Sequence, residues 1–499
     1  MNLLPYDETD PKSIEDYSQN LIGKSFAEIL ANNTNNSIIK ESQREYGQAH
    51  ENKNRKGGLG ELIEECFFHY KCNNDSKPDF DKAGVELKVT PYKINKNGLL
   101  SAKERLIISM IDYCNDINEP FYDSHLRKKS TLILLIYYLY KKENKNRLDY
   151  KIHYAKIFSP PEEDLRIIEQ DYNTIITKIR DGKAHELSEG DTIYLGAATK
   201  ASTSSDRRNQ PFSNIKAKPR AFAFKNSYMT YILNNYIVPG KSTYEAIIKN
   251  PATLNNTTFE TYILEKINQY VGLSDQELCK IFDRAYNNNK CQWIDLAYRM
   301  LGIKSNKAEE FEKANIIVKA IRINENNKMR ESMSFPSFKF KELIAQEWED
   351  SDLYNYFDQT KFLFVVFKEQ GNNYLLKGCQ LWNMPFNDLN STVFEGWINI
   401  KNRIKDGIKF DVKYQKNKKI ITNNLPKKND NPIVHIRPHA QKSAFKFTDP
   451  YIISILSTDT IGNLFRDANE LPDGQWMTTQ SFWINNSYIL SQLTSQFFE

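Results

Sequence analysis

The residues whose types and spacing can do chemistry lie between Lys56 and Pro91. Asp79 follows Pro78, and the triplet Glu86-Leu87-Lys88 comes shortly after. Side chains alternate along a strand, so Glu86 and Lys88 are expected on one face while Val85, Leu87 and Val89 enter the core. Asp79 and Glu86 are the candidate metal ligands, because magnesium takes hard carboxylate oxygens. A divalent cation there would stabilise charge developing on phosphorus and acidify a bound water. Lys88 would hold the attacking water or stabilise the pentavalent oxygens. Glu64, on the preceding helix, would orient Lys88 or contact a second metal through water. The chemistry is metal-dependent phosphodiester hydrolysis. Taken alone the spacing is weak, because a solvated strand in a chain with 26% charged residues produces it too.

The elements that must position these groups are legible from periodicity. VELKV (Val85 to Val89) alternates as a half-buried strand, and TLILLIYYLY from Thr131 is a longer buried one. Helical spacing runs through LGELIEECFFHY from Leu59 and through the segment before Gly182. The pattern predicts an α/β fold with a central mixed sheet flanked by helices. At 499 residues the chain is long enough for two or more domains of roughly 150 residues. Its 68 basic and 63 acidic residues give a net charge of +5, so only local clustering of cations would mark a nucleic-acid surface. Six cysteines without a CxxC pair read as reduced core thiols. No signal-peptide pattern opens the sequence, and Leu132 to Tyr140 falls short of the roughly 20 residues that cross a bilayer, so a cytosolic protein is expected.

The two halves resemble one another. SPPEEDLRIIEQDYNTIITKIRDG ends at Gly182 and NMPFNDLNSTVFEGWINIKNRIKDG at Gly407, each an amphipathic helix closed by glycine. AFAFKNSYMTYIL from Ala221 matches SFWINNSYILSQL from Ser481, and GKSFAEIL from Gly23 parallels GLSDQELCKIF from Gly272. Three collinear matches predict a duplicated domain rather than a short-period solenoid. The polar stretch from Pro239 to Thr258 places the boundary near 248/249, giving domains 1–248 and 249–499.

With these motifs in hand, the first half resembles the catalytic core of MutH and of the related GATC restriction endonucleases, which share the PD-(D/E)xK nuclease fold. The resemblance runs through KGxxGxxxE ending at Glu64, Asp79, GVELK at Gly84 to Lys88, SHLRKK (Ser124 to Lys129), GKAHELSEG (Gly182 to Gly190), YLGAATKA (Tyr194 to Ala201) and PRAFAFKNSYMT from Pro219. It implies two tandem MutH-like domains and a catalytic set of Glu64, Asp79, Glu86 and Lys88, with Lys129 near the scissile phosphate. It also places Lys200 as a base-reading lysine, which suits a cation donating to guanine in the major groove. Lys216, Lys218, Arg220 and Lys225, interleaved with Phe222 and Phe224, look like a phosphate-contacting surface, and Lys56 is a further DNA-backbone candidate. MutH carries a tyrosine implicated in sensing adenine methylation where this chain has Ala223, so cleavage indifferent to that mark is implied. The loop GAATKA departs from the family's IRPKA, and base contacts other than Lys200 are not carried over.

The second half departs at the chemistry. FEKANIIVKAI (Phe311 to Ile321) keeps Lys319 at the place of Lys88, but Ile317 replaces Glu86, and Glu310 alone stands for Asp79. Isoleucine cannot ligate a metal, so this copy is expected to be silent. Its loop HIRPHA is nearer the family pattern, which makes Arg437 and His439 DNA-binding candidates in an effector domain. His435 and His439 sit in strand and loop rather than on a helix, so a metal role is not inferred. No Walker, dinucleotide-binding, nucleophile-elbow or Cys-rich motif is present.

The resemblance therefore implies a magnesium-dependent type II restriction endonuclease of the bacterial cytoplasm, cutting both strands 5′ of the G in GATC. It would work as a monomeric pseudo-dimer or by looping two sites, alongside a cognate methyltransferase. The alternatives are a MutH-like strand-nicking repair endonuclease and a non-catalytic sequence-specific DNA-binding regulator.

Overall fold

The structure is a computed structural model that describes residues 4–32, 58–70, 77–95, 97–200, 203, 205–238, 240, 244–287, 289, 291–415 and 418–499. Two compact units emerge: Met1–Tyr262 with Ile303–Ile316, and Ile263–Gly302 with Ile317–Glu499. This differs from a cut at 248/249, because the first unit runs further and also recovers an excursion of the chain. The excursion is held by charge. Lys313, 1% exposed, pairs with Asp164 at 2.7 Å and Glu309 at 2.8 Å, and its carbonyl accepts from the Ser227 hydroxyl. Glu310 accepts the Ile247 and Ile248 amides, each at 2.9 Å.

In the first unit the strands are β1 (Val85–Ile94), β2 (Leu100–Ala102), β3 (Leu106–Met110), β4 (Leu132–Leu139), β5 (Ile152–Phe158), β6 (Leu195–Thr199), β7 (Arg208–Gln210), β8 (Ser213–Ala217) and β9 (Arg220–Phe224). One sheet is ordered β2-β1-β4-β5 and is mixed, with β1 and β4 parallel and the outer pairs antiparallel. A second, antiparallel sheet is ordered β3-β9-β6, and β7 and β8 form a hairpin. Val85 and Leu87 enter a core with Leu134, Ile136, Phe26 and Leu62, as alternation requires, while Val89 is half-buried.

In the second unit the strands are β10 (Ile316–Ile323), β11 (Met333–Phe338), β12 (Lys361–Gln370), β13 (Asn373–Trp382), β14 (Phe410–Gln415), β15 (Lys418–Asn423), β16 (Val434–Pro438), β17 (Phe445–Lys446), β18 (Thr460–Ile461), β19 (Ala468–Glu470), β20 (Trp476–Thr478) and β21 (Gln480–Ile484). The orders β10-β12-β13 and β11-β21-β16 repeat β1-β4-β5 and β3-β9-β6 of the first unit.

The repeat extends to individual bonds. Gly23 N–H donates to Ile152 O on β5, and Gly272 N–H to Leu376 O on β13. Ser25 and Glu28 form a reciprocal cap, as do Ser274 and Glu277. The Tyr228 hydroxyl donates to Asp164 at 2.9 Å, and Tyr488 to Asp388 at 2.5 Å. The helices Glu162–Arg180 and Phe394–Lys405 both end at a left-handed glycine, Gly182 at φ +72° and Gly407 at φ +97°, a conformation that costs a residue without Cβ little.

Among the described cysteines none forms a disulfide; Cys279 and Cys379 are buried, whereas Cys114 and Cys291 are exposed, so the expectation of core thiols holds for only part of the set. Among the described residues no helix is long and apolar enough to cross a membrane.

Candidate active site

A tight hairpin joins the two candidate metal ligands. Phe80 and Val85 exchange both backbone hydrogen bonds, at 2.9 and 3.2 Å, and Gly84 completes the turn at φ +67°. Asp79 and Glu86 flank that pair, so the hairpin sets them side by side despite their separation in sequence. The Leu87 amide donates to Asp79 Oδ2 at 2.8 Å and fixes the carboxylate against β1.

Glu86 is buried at 1% exposure rather than projecting into solvent. Its Oε1 accepts from Lys88 Nζ at 2.6 Å and lies 3.4 Å from Lys129 Nζ. Its Oε2 is buried with no hydrogen-bond partner among the described residues, and a native protein rarely leaves a carboxylate oxygen so. Asp79 is held up at about 6, first by burial and then by the neighbouring charge of Glu86, with Glu64 adding to it; Lys88 and the Leu87 amide oppose the rise. Two neighbouring carboxylates, one of them with an orphaned oxygen, are the donor set a hard divalent cation satisfies. Among the described residues no three acidic, imidazole or thiol groups cage a metal by themselves. Two carboxylates suit magnesium, which keeps several waters and leaves room for a phosphate oxygen.

Glu64 enters from the π-helical turn Ile63–Phe67, which closes the helix begun at Gly58–Leu62. Such one-turn widenings re-aim side chains and recur at functional sites. Lys129 comes from the short helix His125–Ser130, capped by Ser124 accepting from the Arg127 amide, just before β4. Glu64, Asp79, Glu86, Lys88 and Lys129 thus converge on one end of the β1–β4 pair.

The expected DNA surface divides. Lys200 is exposed at the end of β6, its amide tied to Pro219 O at 2.8 Å. Lys216 is exposed on β8 and Lys218 half-buried after it. Arg220 and Lys225 correct the expectation of a phosphate-contacting surface. Arg220, 3% exposed, donates to Ala197 O at 2.5 Å, and Lys225, 2% exposed, donates to Thr192 O at 2.6 Å. Strand β9 is central in its sheet and buried on both faces, so these cations brace β6 and the segment leading into it. Ala223, 1% exposed, pairs with Ile107 and Gly196 and offers no group outward. Lys56 lies outside the described residues.

Asp171 gave no signal in sequence. It is buried and accepts the Ile193, Tyr194 and Leu195 amides at 2.7, 2.6 and 2.9 Å, pinning the start of β6. Only its place on the inner face of an amphipathic helix marks it as a buried acid.

In the second half of the chain, Asn315 at φ +54° keeps the left-handed turn of Gly84, although the segment that carries it and Glu310 belongs to the first unit. Ile317 follows on β10 in place of Glu86, and Glu310 is spent on two backbone amides. Asp295, on the helix Cys291–Met300, is paired with Arg284 at 2.5 Å and Arg299 at 3.0 Å. Arg437 is exposed on β16, stacked over Trp483 at 5.4 Å, and His439 is exposed beyond it, its Nδ1 3.1 Å from the Ser481 hydroxyl.

A paired carboxylate site with an adjoining lysine, at the end of a mixed sheet, is the arrangement that phosphodiester hydrolysis by a nuclease requires. The family described as "DNA mismatch repair enzyme MutH" matches residues 68–171, which include Asp79, Glu86, Lys88 and Lys129. The type II restriction enzyme Sau3AI of Staphylococcus aureus is 35% identical over 512 aligned positions, covering 97% of this chain and 98% of that relative. The chain belongs to the MutH-like type II restriction endonucleases, and is thus a site-specific deoxyribonuclease.

Proposed function

We propose that the protein hydrolyses both strands of duplex DNA 5′ of the G in GATC, using magnesium at Asp79 and Glu86. The observation that carries the active-site assignment is the buried, partnerless Glu86 Oε2 beside Asp79. Bound there, magnesium supplies positive charge for the phosphorane-like transition state and acidifies a water. Lys88, anchored by Glu86, orients that water and stabilises the non-bridging oxygens. Lys129 adds a second cation toward the scissile phosphate, and Glu64 positions Lys88 or an outer water. Lys200, Lys216 and Lys218 face the DNA of the first unit. Arg220 and Lys225 act only by holding β6 and the segment leading into it.

The repeated strand order and the matched bonds support two tandem PD-(D/E)xK domains, with domain limits close to 262 rather than 248. The second, with Ile317 where a carboxylate is needed, is a silent effector that binds DNA through Arg437 and His439. Ala223 supports cutting that ignores adenine methylation. The chain acts in the bacterial cytoplasm, alone or bridging two sites, with a methyltransferase protecting the host DNA.

The test is digestion of duplexes carrying zero, one or two GATC sites, methylated at adenine or not, with magnesium or with chelator. Magnesium-dependent double-strand cuts at GATC alone, faster with two sites and unchanged by methylation, are the expected result. Cuts elsewhere overturn the specificity, nicks in one strand indicate the repair type, and binding without cleavage indicates a regulator.

A further inference from the structure

The vestigial end of β10 in the second unit is not closed over. A cavity of about 390 Å³ opens there, lined among others by Lys319, Arg322, Arg330, Tyr374 and Trp483. Its charge is lopsided. Lys319 keeps the position of Lys88, but Ile317 has removed the carboxylate that would have received it, and no acceptor for its ammonium appears among the described residues. Burial holds Lys319 below the ordinary lysine range, the cost of an unneutralised cation. The Arg322 guanidinium stacks over Trp293 at 4.5 Å and Tyr374 at 5.9 Å, which leaves its N–H edge for an acceptor. Trp483 buries its indole N–H without a partner among the described residues. Among the described lining residues the one acid is Glu331, and it is exposed.

Half-buried cations in folded proteins are normally matched by anions. Here cationic donors line one cavity whose single acid among the described residues is exposed. Lysine, arginine and an indole N–H around a small cavity are the complement of a phosphoryl group, which takes several charge-assisted hydrogen bonds at once. We infer that this cavity binds a phosphate group of the DNA backbone without any metal, the loss of the carboxylate at 317 having turned a cation site into an anion site. The inference rests on the reading of the second unit as DNA-binding and names the group that does the binding. Arg437, on the strand paired with that of Trp483, and His439 just beyond it would then read the duplex beside an anchored phosphate.

The experiment uses the full chain in chelator, so that cutting does not intervene. A labelled GATC duplex is titrated by fluorescence anisotropy at several salt concentrations, and inorganic phosphate is titrated separately by tryptophan fluorescence. Lys319→Met and Arg330→Gln are compared with the wild-type chain, with circular dichroism and thermal melting as folding controls. Lys319→Met removes a half-buried charge and is expected to melt no earlier than the wild-type chain. The expected result is roughly tenfold weaker duplex binding for Lys319→Met, with a salt slope shallower by about 0.9, one phosphate contact. Arg330→Gln, at the exposed rim, gives a smaller loss in the same sense. A phosphate-dependent fluorescence change that Lys319→Met abolishes, together with no duplex binding by the wild-type chain, keeps the phosphate site and overturns its assignment to DNA. Duplex affinity and slope unchanged in both folded variants, with no fluorescence response to phosphate, overturn the cavity and leave the DNA-binding reading standing.

Discussion

The hairpin around Gly84 and its counterpart around Asn315 share a left-handed turn residue, a following strand and a lysine, yet differ at the groups that would handle a metal. In the first unit Asp79 and Glu86 stand together, Glu86 keeps one oxygen unsatisfied, and Lys88 and Lys129 neutralise the other. In the second copy of the motif, the acid at 310 lies in the first unit and is consumed by two amides, isoleucine stands at 317, and Asp295 is paired with two arginines. The frame and the chemistry are therefore separable. The Gly23 and Gly272 bonds, the paired serine caps and the Tyr228–Asp164 and Tyr488–Asp388 contacts maintain the frame in both units. None of them touches the candidate metal ligands.

That comparison can be broken most severely by making the first site resemble the second. Glu86→Ile should lower cleavage by about a thousandfold or more, since metal stabilisation is worth several kcal/mol, and initial rates on a two-site duplex measure it. The reverse change, Ile317→Glu in a chain also carrying Asp79→Asn, should restore no cutting, because Glu310 stays bound to the Ile247 and Ile248 amides. Lys88→Met should cost roughly a hundred- to a thousandfold in kcat while leaving duplex binding in chelator within a few-fold, as expected for a group acting on the transition state.

Acid sharpens the contrast differently. His435 is 2% exposed and bonded to Asn485 at 2.6 Å; burial pushes it down to about 4, where the first unit has Gly196. A histidine whose folded value lies below its unfolded value contributes stability above about 6.5 that is lost as pH falls toward 4. Melting curves between pH 7 and 4.5 should show a steeper acid loss in the wild-type chain than in His435→Gln.

The smallest effects concern the shared frame. Tyr228→Phe removes a donor from a carboxylate 1% exposed and should cost about 1–3 kcal/mol, whereas Tyr488→Phe, beside the more accessible Asp388, should cost about 1 kcal/mol, both by denaturant melts.

Much of the site was legible because it follows strand periodicity. Val85 and Leu87 turn inward as alternation predicts, and a short hairpin closed by glycine brings Asp79 to Glu86. Alternation did not foretell that Glu86 itself is buried, since that depends on Lys129 arriving from another element. Arg220 and Lys225 misled for a related reason: a basic and aromatic run looks like a surface unless the strand is central, and centrality is set by partners β3 and β6, remote in sequence. The π turn carrying Glu64 has no compositional mark. The excursion 303–316 was equally hidden, because its place in the first unit depends on the buried pair Lys313–Asp164 across a long separation.

The central claim is that one unit cuts and the other does not, and Asp79→Ala tests it most directly. The folded variant is incubated with magnesium and a duplex bearing two GATC sites, and both cleavage and binding are followed. The account predicts retained binding and no double-strand cuts. Cleavage at an undiminished rate would contradict the assignment of the active site to the first unit.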